Sequence, residues 1–311
     1  MGIHHEACDN LRPMSDTPPN TRSQRWLPAV LRLLGRVPLP LLYGIADLLF
    51  FALFRVFGFQ RALANDNIAR AFPDLPAAQV AQLAAQSAQN AAHVVFETIA
   101  CSGFSDAELA RRVMIDNPQL IEQLVQEHRT VVTVAAHHAN WEWLQLACAA
   151  RLGAPLAALY KPLGHAGLDA FLQQLRGRFG SRLMVARTAL PQLLEFARKP
   201  GVIALVADQV PRPDEEQYWS VLLGRETAFF TGPEKLARLL KAPLVFAHMQ
   251  RVRRGYYRVR FDVLTRPPYP EPEGDLMERY IRALEAQIRA APQDWVWVYK
   301  RWKYRKSVYA G

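Results

Sequence analysis

Cysteine is scarce in this chain: 3 of 311 residues, at Cys8, Cys101 and Cys148. An odd number without paired spacing argues against a disulfide framework or a cysteine-built metal knuckle and points to a reducing compartment. The sequence also lacks a Gly-rich phosphate loop, a cluster with metal-ligand spacing and a nucleophile elbow. P-loop phosphoryl chemistry, metal-assisted hydrolysis and acyl-enzyme formation on an exposed serine therefore have no foothold in the sequence. Acidic residues are in deficit, 28 against 38 Lys and Arg, giving a formal charge of +10. With a pI near 9.8, that balance favours an anionic partner: nucleic acid, an acidic membrane surface or an acidic carrier protein. A soluble protein with a basic surface is the plainer alternative.

Long apolar runs are few as well. Residues 1–26 contain three prolines and no apolar core, so they are expected to form a disordered leader rather than a secretory signal, with Met14 a candidate true start. The longest mostly apolar stretch, Val37–Phe54, has 18 residues but contains Pro38, Pro40, Gly44 and Asp47. A bilayer span needs about 20 apolar residues. The flanking Arg32, Arg36, Arg55 and Arg61 suit a helix lying in a membrane interface or inserted partway. Membrane association is preferred here to a buried helix pair of a soluble core.

The remainder alternates between two periodicities. Residues 61–100 are Ala-rich and helical in pattern, with Pro76 opening a helix. Beyond them, strands are expected at 131–136, 156–160, 183–186, 202–207, 244–250 and 256–264, the last as an edge or hairpin strand. Helices are expected around 118–127, 141–151, 168–178, 190–198, within 229–240, and over 275–290. This alternation predicts an α/β fold: a central mixed, largely parallel sheet flanked by helices, with an N-terminal membrane-associated helical segment. The expected organisation is a disordered tail at 1–26, a helical segment at 27–100 and an α/β domain at 101–311, with 27–311 forming one compact unit. The acidic, Pro-containing stretch 210–220 is expected to be an exposed insertion near the site.

Chemistry concentrates at His137-His138-Ala139-Asn140-Trp141-Glu142, directly after the β-branched run 131–136. A histidine at the end of a buried strand, with a carboxylate five residues on, suits a general base and its orienting partner. The pair would not share a face of one helix, because five residues turn through about 500°. The geometry works if His137 ends the strand and Glu142 lies in the first helical turn. Spacing alone does not choose between His137 and His138. Asp208-Gln209 ends another apolar run, where α/β sheets place ligands. Lys161, Arg176, Arg178 and Arg182 form a basic set suited to phosphate or a thioester carbonyl, or to a solvated face. Gly232-Pro233-Glu234-Lys235 signals a helix start. The tail, with Trp295, Trp297, Lys300, Arg301, Trp302 and Lys303, suits a lipid interface, single-stranded nucleic acid or a half-buried final strand. Lipid is favoured because the apolar segment accompanies it.

These pieces, in this order, resemble the bacterial lipid A biosynthesis acyltransferase family, which shares its His-x4-acid motif with glycerol-phosphate acyltransferases. Asn67-Ile68 with Ala71-Phe72-Pro73 is similar to that family's "N…AFP". The stretch His137–Glu142 is similar to its "H-x-x-N-W-E", and this register selects His137. Tyr160-Lys161-Pro162, Leu168-Asp169 and Arg176–Gly180 resemble "Y-[RK]-P…LD…R-x-R-x-G". Asp208-Gln209, Leu223-Gly224-Arg225, Thr231-Gly232-Pro233 and the Trp295–Lys303 tail supply further matches. Six motifs in order, over roughly residues 35–305, are specific where each alone is weak. The stretch 210–220 departs from the family pattern, which bears on acceptor identity.

The resemblance implies transfer of a fatty acyl chain from acyl carrier protein to a hydroxyl of a lipid A precursor at the cytoplasmic face of the inner membrane. His137 would be the base and Glu142 its orienting carboxylate. Arg176 or Arg178, with Lys161, Asp208 and Gln209, would serve the oxyanion or an acceptor phosphate. Trp297, Lys300, Arg301 and Lys303 would touch membrane or carrier. The expected partners are acyl carrier protein, anionic lipid and a glycolipid acceptor, with no nucleic acid, no metal and no dissociable cofactor. A lysophospholipid or other glycolipid acceptor is the alternative enzymatic reading, and a non-catalytic membrane- or nucleic-acid-binding protein the non-enzymatic one.

Overall fold

A computed structural model describes residues 22–304 and 306, apart from Pro270, Glu271 and Glu273. The Met14 start and residues 1–21 of the expected leader lie outside them. In chain order the elements are α1 (Arg22–Leu34), α2 (Leu39–Phe50) with a π-helical turn (Phe51–Val56), α3 (Arg61–Ala71), α4 (Ala77–Cys101), α5 (Asp106–Arg112), β1 (Val113–Ile115), α6 (Pro118–His128), β2 (Thr130–Ala135), α7 (Trp141–Arg151), β3 (Leu156–Tyr160), α8 (Ala166–Gly177), β4 (Arg182–Val185), α9 (Leu190–Phe196), β5 (Gly201–Val206), β6 (Gln217–Leu222), β7 (Arg225–Phe230), α10 (Gly232–Leu240), β8 (Leu244–Arg253), β9 (Tyr256–Thr265) and α11 (Asp275–Ala290).

Seven strands form one sheet in the order β1-β9-β8-β2-β5-β3-β4. Every pairing is parallel except the β8–β9 hairpin. The mixed, largely parallel α/β sheet is thus as the periodicities predict. Its central strand β2 is buried at all six positions, as a strand covered on both faces must be. Burying a Val or Leu side chain contributes about 1.5–3 kcal/mol, so β2 is the anchor of the core. Alternation splits the core in two. Val132, Val134, Ile203, Leu244 and Phe246 face α3, α4, α10 and α11. Val131, Val202, Val245, Tyr257 and Phe261 face α2, α5, α6, α7 and α8.

Four details differ from the sequence expectation. Residues 22–26, placed in the leader, belong to α1. β9 is the hairpin strand of the two alternatives expected, pairing with β8, but an unexpected three-residue strand, β1, pairs outside it; so short a strand carries no periodicity to detect. Part of the expected insertion 210–220 is strand β6, paired antiparallel with β7 in a separate two-stranded sheet. The aromatic tail is a folded irregular segment, not a strand or a surface.

Candidate active site

β2 and β5 each have six residues and pair in parallel register from Thr130↔Gly201 to Ala135↔Val206. Both chains leave the sheet at the same level, and Ala207 N–H still bonds Ala135 O. Continued two residues further, the same register sets His137 beside Asp208. The Asp208 carboxylate accepts three hydrogen bonds: from His137 Nδ1 at 2.6 Å, from the His137 backbone N–H at 3.0 Å and from Trp295 Nε1 at 2.9 Å. Asp208 is buried, whereas the His137 side chain keeps 23% of its surface exposed. Donation from Nδ1 leaves the Nε2 lone pair on the open side, with the Gln209 amide 3.3 Å away. Trp141 packs edge-on against the imidazole, ring centres 4.9 Å apart.

The electrostatics match this geometry. Burial is the largest influence on His137 and favours the neutral ring. The charge and hydrogen bond of Asp208, helped by the charge of Glu142, outweigh it and hold the pKa above the ordinary imidazole value. Burial likewise pushes the Asp208 carboxyl up, but His137 and the Trp295 donor hold it below the usual carboxylate range, so it stays ionised.

Glu142 does not meet the imidazole through a hydrogen bond. It lies in the first turn of α7, and its carboxylate receives Arg176 Nε at 2.8 Å and Nη2 at 2.5 Å, with Trp141 Nε1 at 3.2 Å. The orienting part expected of Glu142 falls to Asp208: Asp208 holds the histidine, and Glu142 holds the arginine. The cause lies in the strand-to-helix turn. Ala139 adopts a left-handed conformation, φ +54°, which costs a non-glycine residue about 1–2 kcal/mol. The chain reverses there, and Asn140 caps α7 by accepting Trp143 N–H at 3.0 Å.

His138, on the other side of that turn, is buried between Ala291 O, 3.0 Å from Nε2, and Met249 O, 3.3 Å from Nδ1. Burial pulls its pKa down to about 4, so it is a neutral core group. Arg178, an oxyanion or phosphate candidate, instead donates to the carbonyls of Cys101, at 2.8 Å, and Phe104. It ties the end of α8 to the end of α4. Lys161 is exposed beyond β3. Glu234 is buried and accepts Gly274 N–H at 2.8 Å, capping α11 from outside the helix.

The terminal aromatics are also reassigned. Trp297 is fully buried, and Arg301 is 1% exposed, with Nη2 donating to Ala228 O at 2.8 Å and the guanidinium over the Phe229 ring. Both side chains expected at a membrane or carrier are committed to the core, whereas Lys300 and Lys303 are exposed. The segment's work is internal. Asn67 Nδ2 bonds the carbonyls of Trp297 and Tyr299 at 3.0 and 3.1 Å, and Ser87 Oγ bonds Trp295 O at 2.6 Å. The segment so pinned carries the indole that meets Asp208. A second tie runs through Glu97, fully buried on α4, which accepts Tyr43 OH, Asn140 Nδ2 and Tyr257 OH at 2.7, 2.7 and 2.6 Å. Sequence reading missed Glu97, Trp295 as a donor to the site, and the His137–Asp208 pair. The signal for the pair was two apolar runs of equal length, 131–136 and 202–207, each followed directly by a polar group. Among the described residues no three His, Cys, Asp or Glu side chains converge as a metal set.

A buried aspartate holding a partly exposed histidine, at the carboxyl ends of adjacent parallel strands, marks the candidate site of an α/β protein. The profile of the bacterial lipid A biosynthesis acyltransferases matches residues 21–304. The chain belongs to that family and is an acyltransferase of lipid A biosynthesis. It is 22% identical over 251 residues to a lipid A biosynthesis palmitoleoyltransferase of Escherichia coli K12, covering 79% of each chain. It is equally similar, 22% over 251 residues and 79% of each chain, to a lipid A biosynthesis acyltransferase of Shigella flexneri.

Proposed function

We propose that this protein transfers a fatty acyl chain from an acyl carrier protein thioester to a hydroxyl of a lipid A precursor, forming an ester. The observation that carries this reading is the 2.6 Å bond from His137 Nδ1 to Asp208, which leaves Nε2 unprotonated, with only the weak 3.3 Å contact of the Gln209 amide to displace before it takes a proton. An alcohol is a poor nucleophile at neutral pH, so a positioned base must take its proton as it attacks. In the proposed step the hydroxyl oxygen bonds to the thioester carbonyl carbon while its proton passes to His137 Nε2. Asp208 stabilises the resulting imidazolium. The tetrahedral oxyanion then collapses, the C–S bond breaks, and the carrier thiolate takes the proton back from Nε2. The products are an ester and a free carrier thiol. Arg176, held by Glu142 through Nε and Nη2, is the proposed cation for the oxyanion or an acceptor phosphate, through its remaining nitrogen Nη1.

The proposed location is the cytoplasmic face of the inner membrane. Leu39–Val56 is long and apolar enough to cross a bilayer by length and composition, with 28% of it buried. One stripe of α2, Leu39, Leu42, Tyr43 and Ala46, is committed to the core, while Leu41, Ile45, Leu48 and Leu49 are exposed. A helix held to the protein along one face and bare along the other supports lying in the interface rather than spanning it. The test is His137→Ala assayed with acyl carrier thioester and lipid A precursor. Loss of transfer with unchanged thermal melting and membrane recovery is expected; normal turnover would overturn the mechanism.

A further inference from the structure

The β8–β9 hairpin extends well past the strands around it. His138 Nδ1, just beyond the end of β2, faces Met249 O, yet β8 continues to Arg253. Four further residues carry it roughly 13 Å beyond the sheet at about 3.3 Å per residue. β8 and β2 are parallel, so the tip stands at the same end of the sheet as His137. It does not stand alone there. At Gly255, φ +72°, an added Cβ would come 2.6 Å from Tyr43 Oη and 3.4 Å from Leu39. The turn therefore rests directly on the buried stripe of α2, and the bare stripe of α2 lies alongside it.

The chemistry of the tip is specific. Val252 is 57% exposed, an apolar side chain without cover. The Arg253 guanidinium stacks on Tyr256 at 3.5 Å and has no carboxylate partner among the described residues. Arg254 stacks over Tyr43 at 5.0 Å and reaches Asp47 at 3.2 Å. Stacking of the guanidinium plane leaves its N–H fork free for a phosphate. An acidic protein would satisfy Arg253 but would leave Val252, Leu41 and Leu48 bare. Phosphate headgroups above an acyl layer satisfy both kinds of group.

We propose that the hairpin tip Val252-Arg253-Arg254 is a second membrane anchor, binding anionic phospholipid headgroups beside α2 and turning the His137 end of the sheet toward the bilayer. The proposal rests on the membrane reading above. A single anchor leaves the protein free to rotate about the axis of α2. A second contact at the sheet's carboxyl end restricts that rotation and presents the site to lipid acceptors.

The test uses the full chain with phosphatidylcholine vesicles, with and without phosphatidylglycerol. Arg253→Glu is compared with Lys241→Glu, an equal charge change at the opposite end of the sheet. Wild type and Lys241→Glu are expected to prefer the anionic vesicles. Arg253→Glu should lose at least about fivefold in binding to them, because one basic residue near such a surface contributes on the order of 1 kcal/mol. Its turnover in detergent micelles should stay at the wild-type level. Equal binding by the two variants, or unchanged binding with a raised KM for the carrier thioester, would overturn the proposal and assign the tip to the carrier. Wild-type binding to neutral vesicles with no anionic preference sinks the hairpin alone; absence of all vesicle binding sinks the membrane reading with it.

Discussion

Trp295 donates its indole N–H to the same Asp208 oxygen that receives the His137 backbone amide. The C-terminal segment therefore completes a site begun near the middle of the chain. α3 and α4 hold that segment through Asn67 and Ser87. The N-terminal "N…AFP" residues and the C-terminal tryptophans are one buttress, although 230 residues separate Asn67 from Trp297. Asn67→Ala should lower kcat without touching the site, and should lower stability by about 1–3 kcal/mol for the acceptors it leaves unpaired. Trp295→Phe should act in the same direction. Unchanged kcat in both variants, with a lowered melting temperature, would reduce the buttress to a purely structural part.

Asp208→Asn separates the two carboxylates. His137 must be neutral to accept a proton, and its pKa stands above the ordinary value. Wild-type activity should therefore fall as pH drops through that raised pKa. Without the Asp208 charge, burial dominates and lowers the His137 pKa, so the acid limb should move to lower pH. The plateau should drop on the order of 10²-fold or more, the scale of general-base catalysis. A pH–rate profile for kcat reads both changes.

Glu142→Gln should shift that limb less than Asp208→Asn, because Glu142 acts on His137 only through space. Its main effect should be on Arg176. Breaking a fully buried pair costs about 3–5 kcal/mol; with the Arg176 side chain 19% exposed, about 1–3 kcal/mol is expected here. Glu142→Gln combined with Arg176→Gln should recover part of the melting temperature without recovering turnover, and a double-mutant cycle measures the coupling.

Arg301→Glu should abolish soluble folded protein rather than weaken lipid binding, because the side chain is buried beside Ala228 and Phe229. Lys300→Glu and Lys303→Glu, at exposed positions, should shift the melting temperature little. Circular dichroism melts distinguish the three.

Asp294, next to Trp295, carries a different pH signal. Burial raises its carboxyl to about 6, with the Arg251 charge opposing. A raised folded-state pKa adds stability that is full below the unfolded value near 3.9 and is lost as pH rises through about 6. Wild type should therefore gain on the order of 1–3 kcal/mol between pH 7 and 4 from this group, and Asp294→Asn should lack that gain. Denaturant titrations at the two pH values check it.

Much of this protein was legible one residue at a time. The apolar run 131–136, the Ala-rich helix before residue 101 and the amphipathic helix 275–290 appear within a residue or two of their expected places. Periodicity is a local property, and side chains three or four apart on a helix, or two apart on a strand, declare their faces without outside help. Strands β6 and β7 escaped because their solvent-side and core-side residues mix polar and apolar types, and β1 because it has three residues.

The sequence by itself determined the α/β class and the family, and it singled out His137. Each rests on residue order, which spacing and motif preserve. Which carboxylate serves that histidine was decided by tertiary structure alone. Glu142 is five residues away along the chain, but a left-handed turn at Ala139 carries it to Arg176. Asp208 is 71 residues away, but two equal strands in register bring it to 2.6 Å. The same holds for Arg301 and Trp297, which have the composition of a lipid interface and the location of a core. Composition describes what a side chain could face, whereas packing between distant segments decides what it does face.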